Sequence, residues 1–427
     1  MSVGVQRLRD EPDLIRRGAI DKGEDAAVVD TAIALDERRR AVLAANDTLK
    51  AERNAASKAV GEAIRQGADP AGPAVARLKR ASTDVAERIA TLDAELAQVE
   101  SELDEALLRI PNPADTDVPV GGEDARLILR SWGDQLPRED RRPHWELGER
   151  LGIIDNPRGA KITGSGWPVY VGAGSALQRG LISWFLDVHT RENGMTEVWP
   201  PALVNAASAR GTGQIPDKEE QMYVVTRDDL YLVPTAEVPV TNLHRDEIFE
   251  AAGLPVRYAA YTPCFRREAG AAGKETRGIL RVHQFDKVEM VSFERPEDSE
   301  AALDWLTRRA EVLLQRLGLA YRVVLLSTGD MGFVQARTHD LEVWAPGVER
   351  WLEVSSVSNF RDYQARRMAI RYRPGAGARP ELVHTLNGSG LALPRTVAAL
   401  LETHQRPDGS IAVPEPIQSY LGRAIIT

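Results

Sequence analysis

The hydrophobic spacing over residues 28–110 constrains this chain more than any other feature. Val28, Leu35, Val42, Leu49 and Ala56 recur every seven residues. Leu78, Ser82, Val85, Ile89, Leu92, Leu96, Val99, Leu103, Ala106 and Ile110 alternate steps of four and three. Such a repeat keeps apolar side chains on one narrow stripe of a helix, and a stripe that narrow is buried by a second helix. Between the two runs lies QGADPAGP, Gln66 to Pro73. No helix crosses it, because proline removes a backbone donor and clashes with the preceding turn. IPNP, Ile110 to Pro113, ends the second run. The runs have nearly equal length, so the spacing predicts an antiparallel coiled-coil hairpin reaching roughly 50 Å at about 1.5 Å per residue.

Charge on this arm is uneven. From Lys50 to Ser82, around the turn, seven Lys and Arg (Lys50, Arg53, Lys58, Arg65, Arg77, Lys79, Arg80) face three Asp and Glu (Glu52, Glu62, Asp69). The basal part of the second helix is acidic instead, with Asp93, Glu95, Glu100, Glu102, Asp104 and Glu105. A basic tip on a rigid arm suits a phosphate backbone. It also suits an ordinary solvated helix surface, and charge alone does not choose between them. The whole chain carries a net charge of -9, so any nucleic-acid contact is local.

Several classes drop out on composition. One cysteine, Cys264, leaves no intrachain disulfide, which fits a reducing compartment. The opening MSVGVQRLRDEPDLIRRG carries charge where a signal peptide needs an apolar run. No stretch of about 18 apolar residues indicates a membrane span. The seven histidines are scattered, and no Cys/His cluster suggests structural zinc.

After Pro113 the texture changes to short β-rich runs broken by Gly and Pro: YLVPTAEVPV, VRYAAYTPCF, GILRVHQFDKVEM, YRVVLLS, HDLEVWAP and RWLEVSSVS. Helical patterns lie among them, as in Ser299 to Gly318, which opens with a Ser or Asp suited to capping. Hairpin signals outnumber crossover units, so an α+β domain on a largely antiparallel sheet is expected.

The usual nucleotide signals are missing. GAAGKE has the wrong spacing for a phosphate loop, and no GxGxxG follows a strand and opens a helix. Three separated arginines, Arg266, Arg281 and Arg395, could hold phosphates instead, since guanidinium keeps its charge and presents paired donors. Arg281, Phe285 and Glu289 are spaced by fours, which on a strand places a cation, a ring able to stack a base and a carboxylate on one face. In PTAEV, Thr235 and Glu237 share a face on the same reasoning. In WLEVSS, Glu353 and Ser355 do, with Ser356 opposite unless the strand bends there. Acidic groups among arginines suit an amine or Mg²⁺. Each pair taken singly also reads as an exposed strand face with routine ion pairs; their concentration in one domain favours a site.

At this point the motifs resemble a known family. FRREAG with TRGILRVHQFDKVEM looks like the second signature of class II aminoacyl-tRNA synthetases, in the wording of the bacterial seryl-tRNA synthetase family. NGMTEVWPP resembles the first signature, a dimer-interface element, and NGSGLALPRTVAALLE the third. TAEVP, RGTGQIP, TGDMG and HTLNGSG also resemble family stretches, so the likeness covers almost the whole chain. It implies a tRNA-binding arm over 1–112 and a catalytic domain over 113–427. Arg266 would bridge the serine carboxylate and the α-phosphate. Glu268 would meet the adenine side and Arg281 the phosphates. Phe285 would stack on adenine, with Arg395 covering the other face and reaching the γ-phosphate. Glu353 and Ser356 would hold Mg²⁺. Thr235 and Glu237 would take the α-amino group, and Glu289 and Ser389 the serine hydroxyl. The likeness adds Ala236 to the serine contacts and Arg267, Val282, Val354 and Ser355 to the ATP contacts. The loop from Ala269 to Gly278 would reach the tRNA acceptor end. Arg267 departs from a position that is often small, and Val357 from one that is often cysteine; neither removes a catalytic group.

The implied reaction is ATP-dependent ligation of L-serine to tRNA-Ser through seryl-adenylate, and to the selenocysteine tRNA where one exists. The implied protein is a cytoplasmic homodimer with no DNA or membrane partner. Two other readings remain open on sequence. A paralogue could pass the seryl group to another acceptor, though the basic hairpin favours tRNA. A non-catalytic RNA-binding scaffold would have lost arginine, glutamate or stacking positions, and all are present.

Overall fold

A computed structural model describes residues 3–269 and 277–427 of the chain. Two compact units result: Met1–Ile20 with Glu24–Ile110, and Asp21–Gly23 with Pro111–Thr427.

In the first unit, α1 (Ala27–Arg65) and α2 (Pro73–Leu108) form the expected hairpin. Gly67 takes the left-handed conformation that ends α1, and Pro73 starts α2 where its missing N–H costs nothing. The seam falls where the spacing placed it: Val42, Leu49, Ile89, Val99, Leu103 and Ala106 are buried. Burying a large aliphatic side chain contributes about 1.5–3 kcal/mol, so these positions hold the helices together far better than exposed pairs such as Arg38–Glu95. Val29 and Ala32 are also buried although they lie outside the seven-residue series. Short helices Val5–Asp10 and Pro12–Asp21 explain this, because Leu8, Ile15 and Ala19 pack against them.

The second unit is built on an eight-stranded sheet. Its strands are β1 (Leu127–Trp132), β2 (Thr196–Val198), β3 (Val256–Phe265), β4 (Gln284–Glu294), β5 (Tyr321–Leu325), β6 (Arg337–Ala345), β7 (Arg350–Asn359) and β8 (His384–Ala392). They lie in the order β1-β5-β6-β7-β8-β4-β3-β2. Every neighbouring pair is antiparallel except β2 with β3. Three helices, α3 (Ala173–Asp187), α5 (Ser299–Arg316) and α7 (Leu393–His404), join strand side chains such as Val288, Met290, Leu341 and Val357 in one core. Side chains alternate along β4, so Phe285, Lys287 and Glu289 point to the opposite face. Val357 fits its buried place because Gly388 lies opposite it with no side chain.

Three local expectations are corrected. YLVPTAEVPV is not one strand: Leu230–Leu232 is extended, and Glu237–Thr241 forms a short helix, α4. Period-two spacing over so few residues cannot separate a strand from a helical turn. Arg281 lies before β4 rather than on it, since the strand begins at Gln284. At the start of α5 the capping position is Asp298, but its carboxylate makes no cap bond and accepts from Arg295 at 2.8 Å.

Candidate active site

A cavity of about 460 Å³ opens on the sheet face away from the main core. It is lined from β4 by Phe285, Lys287 and Glu289, from β7 by Glu353, Val354 and Ser356, and from β8 by Ser389. Thr235 and Glu237 enter from the turn into α4, Arg266 and Glu268 from beyond β3, Arg281 and Val282 from the approach to β4, and Arg395 from the first turn of α7. Ala236, Arg267 and Ser355 are not among the lining residues. Ala236 is buried in a neighbouring apolar cluster. Arg267 donates to the Glu220 carbonyl at 3.0 Å, and Ser355 to the Ser389 carbonyl at 2.6 Å. Most of the loop from Ala269 to Gly278, expected to meet the acceptor end, lies outside the described residues.

β7 reaches the cavity through a local irregularity. Leu341 pairs with Ser355 but Glu342 pairs with Glu353, so β7 carries one extra residue, Val354, across from β6. Such a bulge re-aims the side chains that follow it. Glu353 and Ser356, which strict alternation would separate, therefore face the cavity together. Thr235 and Glu237 share the cavity through a helical turn, where the Thr235 hydroxyl accepts the Glu237 N–H at 3.2 Å.

The cations are held in pairs. Arg281 lies 3.3 Å from Glu268. Arg395 lies 3.3 Å from the Glu353 carboxylate and donates to the backbone carbonyls of Glu353 at 3.0 Å and Leu280 at 3.2 Å. The Arg266 guanidinium stands 5.1 Å over the Phe285 ring.

A smaller pocket of carboxylates lies deeper. Glu289 is 1% exposed. One of its oxygens takes Lys287 Nζ and the Thr235 hydroxyl, the latter at 3.0 Å. Its other oxygen, Oε1, is buried with no hydrogen-bond partner among the described residues. Glu237 accepts from Gln364 Nε2 at 2.6 Å. Burial first, and the Glu289 charge second, push the Glu237 carboxyl up to about 7. A cationic group arriving here gains two carboxylates, and a hydroxyl gains an acceptor that is otherwise wasted.

Asp340 on β6 pairs with Ser356 on β7, and its Oδ1 is buried with no hydrogen-bond partner among the described residues. Burial, then Glu353, raise its carboxyl well above the ordinary range. Among the described residues no group of three or more His, Cys, Asp or Glu is arranged to hold a metal. An ion here would rest on Glu353, Ser356 and oxygens of a bound nucleotide, the all-oxygen, few-carboxylate set that suits Mg²⁺.

Lys287 and Asn387 line the cavity although the motifs do not single them out as ligands. Lys287 has a signal in the sequence, the same strand parity as Phe285 and Glu289. Gln364 and Asp340 have none, because distant segments bring them in.

A mostly antiparallel sheet with arginines, an aromatic ring and carboxylates around one cavity fits a class II aminoacyl-tRNA synthetase core, and residues 223–404 match the tRNA synthetase class II core domain (G, H, P, S and T). Residues 4–114 match the seryl-tRNA synthetase N-terminal domain. A serine--tRNA ligase of Gemmatimonas aurantiaca is 48% identical over 426 residues, covering 99% of each chain. The seryl-tRNA synthetase of Pyrococcus horikoshii, solved in complex with ATP, superposes with a TM-score of 0.93 at 35% identity, covering 100% of this chain and 99% of that one. The cytoplasmic serine-tRNA ligase of Naegleria fowleri, solved with AMP, gives 0.86 at 30%, covering 98% and 96%. The chain belongs to the seryl-tRNA synthetase family.

Proposed function

We propose that this cavity joins L-serine to ATP as seryl-adenylate and passes the seryl group to tRNA-Ser. The observation that carries the reading is Glu289 Oε1, a buried acceptor beside Thr235 that has no partner among the described residues. It is placed for the hydroxyl of a small side chain, while Glu237 is placed for the amine of the same molecule. Family membership supports the same assignment.

The chemistry needs no protein nucleophile. A serine carboxylate oxygen attacks the α-phosphorus, the bond to the β-phosphate oxygen breaks, and pyrophosphate leaves. Arg266 would bridge the two reacting groups and neutralise charge that builds between them. Arg281 and Arg395 would turn from Glu268 and Glu353 to the phosphates. Phe285 would stack the base once Arg266 leaves its ring or on the face Arg266 does not cover. Glu353 and Ser356 would hold Mg²⁺, which when bound neutralises phosphate charge. A hydroxyl of the terminal ribose then takes the seryl group and AMP leaves.

The remaining parts are assigned on the same footing: residues 1–112 as the tRNA-binding arm, 113–427 as the catalytic domain, and the selenocysteine tRNA as a second substrate where it exists. No helix among the described residues is long and apolar enough to cross a membrane. A homodimer fits the 78% exposed Trp199 beside β2 and the exposed Leu127, Ile128 and Trp132 on the opposite edge strand; a cytoplasmic location is proposed from the family likeness alone. Pyrophosphate exchange across the amino acids, followed by charging of tRNA-Ser, tests the reading. Exchange with serine and charging of that tRNA are expected; exchange driven by another amino acid, or none, refutes it.

A further inference from the structure

Gln364 belongs to none of the sequence motifs, yet it touches the group placed for the substrate amine. It lies on α6 (Tyr363–Met368) and is 1% exposed. Its side-chain nitrogen donates to Glu237 Oε1 at 2.6 Å and to the Thr212 carbonyl at 3.3 Å. Its oxygen accepts from the Thr385 hydroxyl on β8 at 2.8 Å. The Thr212 carbonyl can only accept, so it fixes which end of the amide faces Glu237. Both amide protons and the oxygen are then used inside the protein. Three separate segments hold one donor against one carboxylate.

We propose that Gln364 is a positioning residue for serine activation, holding the Glu237 carboxylate in place for the substrate ammonium. The proposal rests on the assignment of Glu237 to the α-amino group. Among the described residues, charged groups from two segments act on Glu237 most. Glu289 from β4 opposes its ionisation, while Lys287 from β4 and Lys218 from the stretch before Met222 favour it. Burial opposes it most. Gln364 supplies the hydrogen bond on the favourable side without adding a charge that would compete for the ammonium. A lysine at 364 would neutralise Glu237 outright; an amide orients it and leaves its charge for the ligand.

The test uses the full-length protein and pyrophosphate exchange from pH 6 to 9. Gln364→Met keeps the volume and removes the donor. It is expected to raise the serine KM roughly tenfold to a hundredfold, the usual worth of a hydrogen bond to a buried charge. The KM for ATP should stay within about twofold. The acid limb of kcat/KM for serine should move to higher pH, because Glu237 then holds its proton longer; a residue that only filled space would not move that limb. Thr385→Val, which frees the amide to turn, should change serine KM and the acid limb in the same direction by less. An unchanged serine KM and acid limb in folded Gln364→Met, with Glu237→Gln impaired, overturns the proposal and leaves the serine assignment standing. If Gln364→Met does not fold, unchanged values in Thr385→Val overturn it instead. If Glu237→Gln itself leaves serine KM unchanged, the amine assignment fails, and this proposal with it.

Discussion

Two glutamates share one small pocket in different surroundings. Glu237 carries a folded-state value of about 7 against an ordinary 4.5. Its proton is bound more tightly in the folded protein, so its contribution to stability is full below about 4.5 and is lost as pH rises to about 7. Glu237→Gln should therefore stabilise the unliganded protein at pH 8 by about 1–3 kcal/mol while weakening serine binding at least tenfold. Thermal melts with and without serine check both halves; a variant less stable than wild type and still serine-responsive would contradict them. Glu289 is different, since Lys287 and Thr235 already hold one oxygen. Glu289→Gln should raise the serine KM more than the ATP KM and narrow the preference for serine over alanine, because the lost acceptor is the one alanine never uses. Arg266→Ala should reduce pyrophosphate exchange by a factor of roughly a hundred or more, as it would touch both reacting groups. Much of this is readable in the sequence at the level of residue type. The spacing of Phe285 and Glu289 on a strand is simple parity. The worth of Glu289 is not readable, because an orphaned oxygen is a property of surroundings assembled from Thr235, 54 residues away in the chain.

At the scale of elements, the sheet does the positioning and its irregularities do the aiming. VRYAAYTPCF is β3 from end to end, since β-branched and aromatic residues fill a pleated, half-buried surface. Glu353 and Ser356 needed a bulge that no residue type announces, for Val354 suits a regular strand equally well. The TAEV turn is illegible as a helix because Pro234 and Pro239 frame a stretch too short to show its period. Helix α5 is docked on the sheet partly through histidines: Thr307 meets His339 on β6 at 3.1 Å, and Ser299 meets His384 on β8 at 2.8 Å. Burial lowers both imidazoles to about 4. Their neutral forms support the fold above the ordinary value of 6.5, and that support is lost as pH falls toward about 4. Hydrogen exchange in α5 should therefore accelerate as pH falls from 7 to 5, after correction for intrinsic rates. His339→Gln should flatten that dependence; an α5 equally protected at pH 5 and pH 7 would contradict the account.

At the scale of the whole molecule, the chain forms two compact units. Their separate compactness is legible, because a seven-residue stripe and a strand-rich stretch cannot share one layer. The basic tip is legible only as charge. Arg77, Lys79 and Arg80 are exposed. Changing them together to Glu should raise the KM for tRNA-Ser at least tenfold and leave pyrophosphate exchange unchanged. It should also flatten the salt dependence of tRNA binding, by about one in slope for each phosphate no longer neutralised. An unaltered tRNA KM would return the tip to an ordinary solvated surface. The hairpin seam has one more consequence. Because its stripe repeats in sevens, the arm is a ruler with fixed graduations. Seven residues added to each helix would carry the tip about 10 Å further from the arm's own base with the apolar stripe still in phase. Two residues added to each would carry the stripe to roughly the opposite side of each helix, at about 100° per residue, and so out of the seam. If the arm selects tRNA-Ser by its reach, the first variant, fully folded, should lose tRNA charging while keeping pyrophosphate exchange.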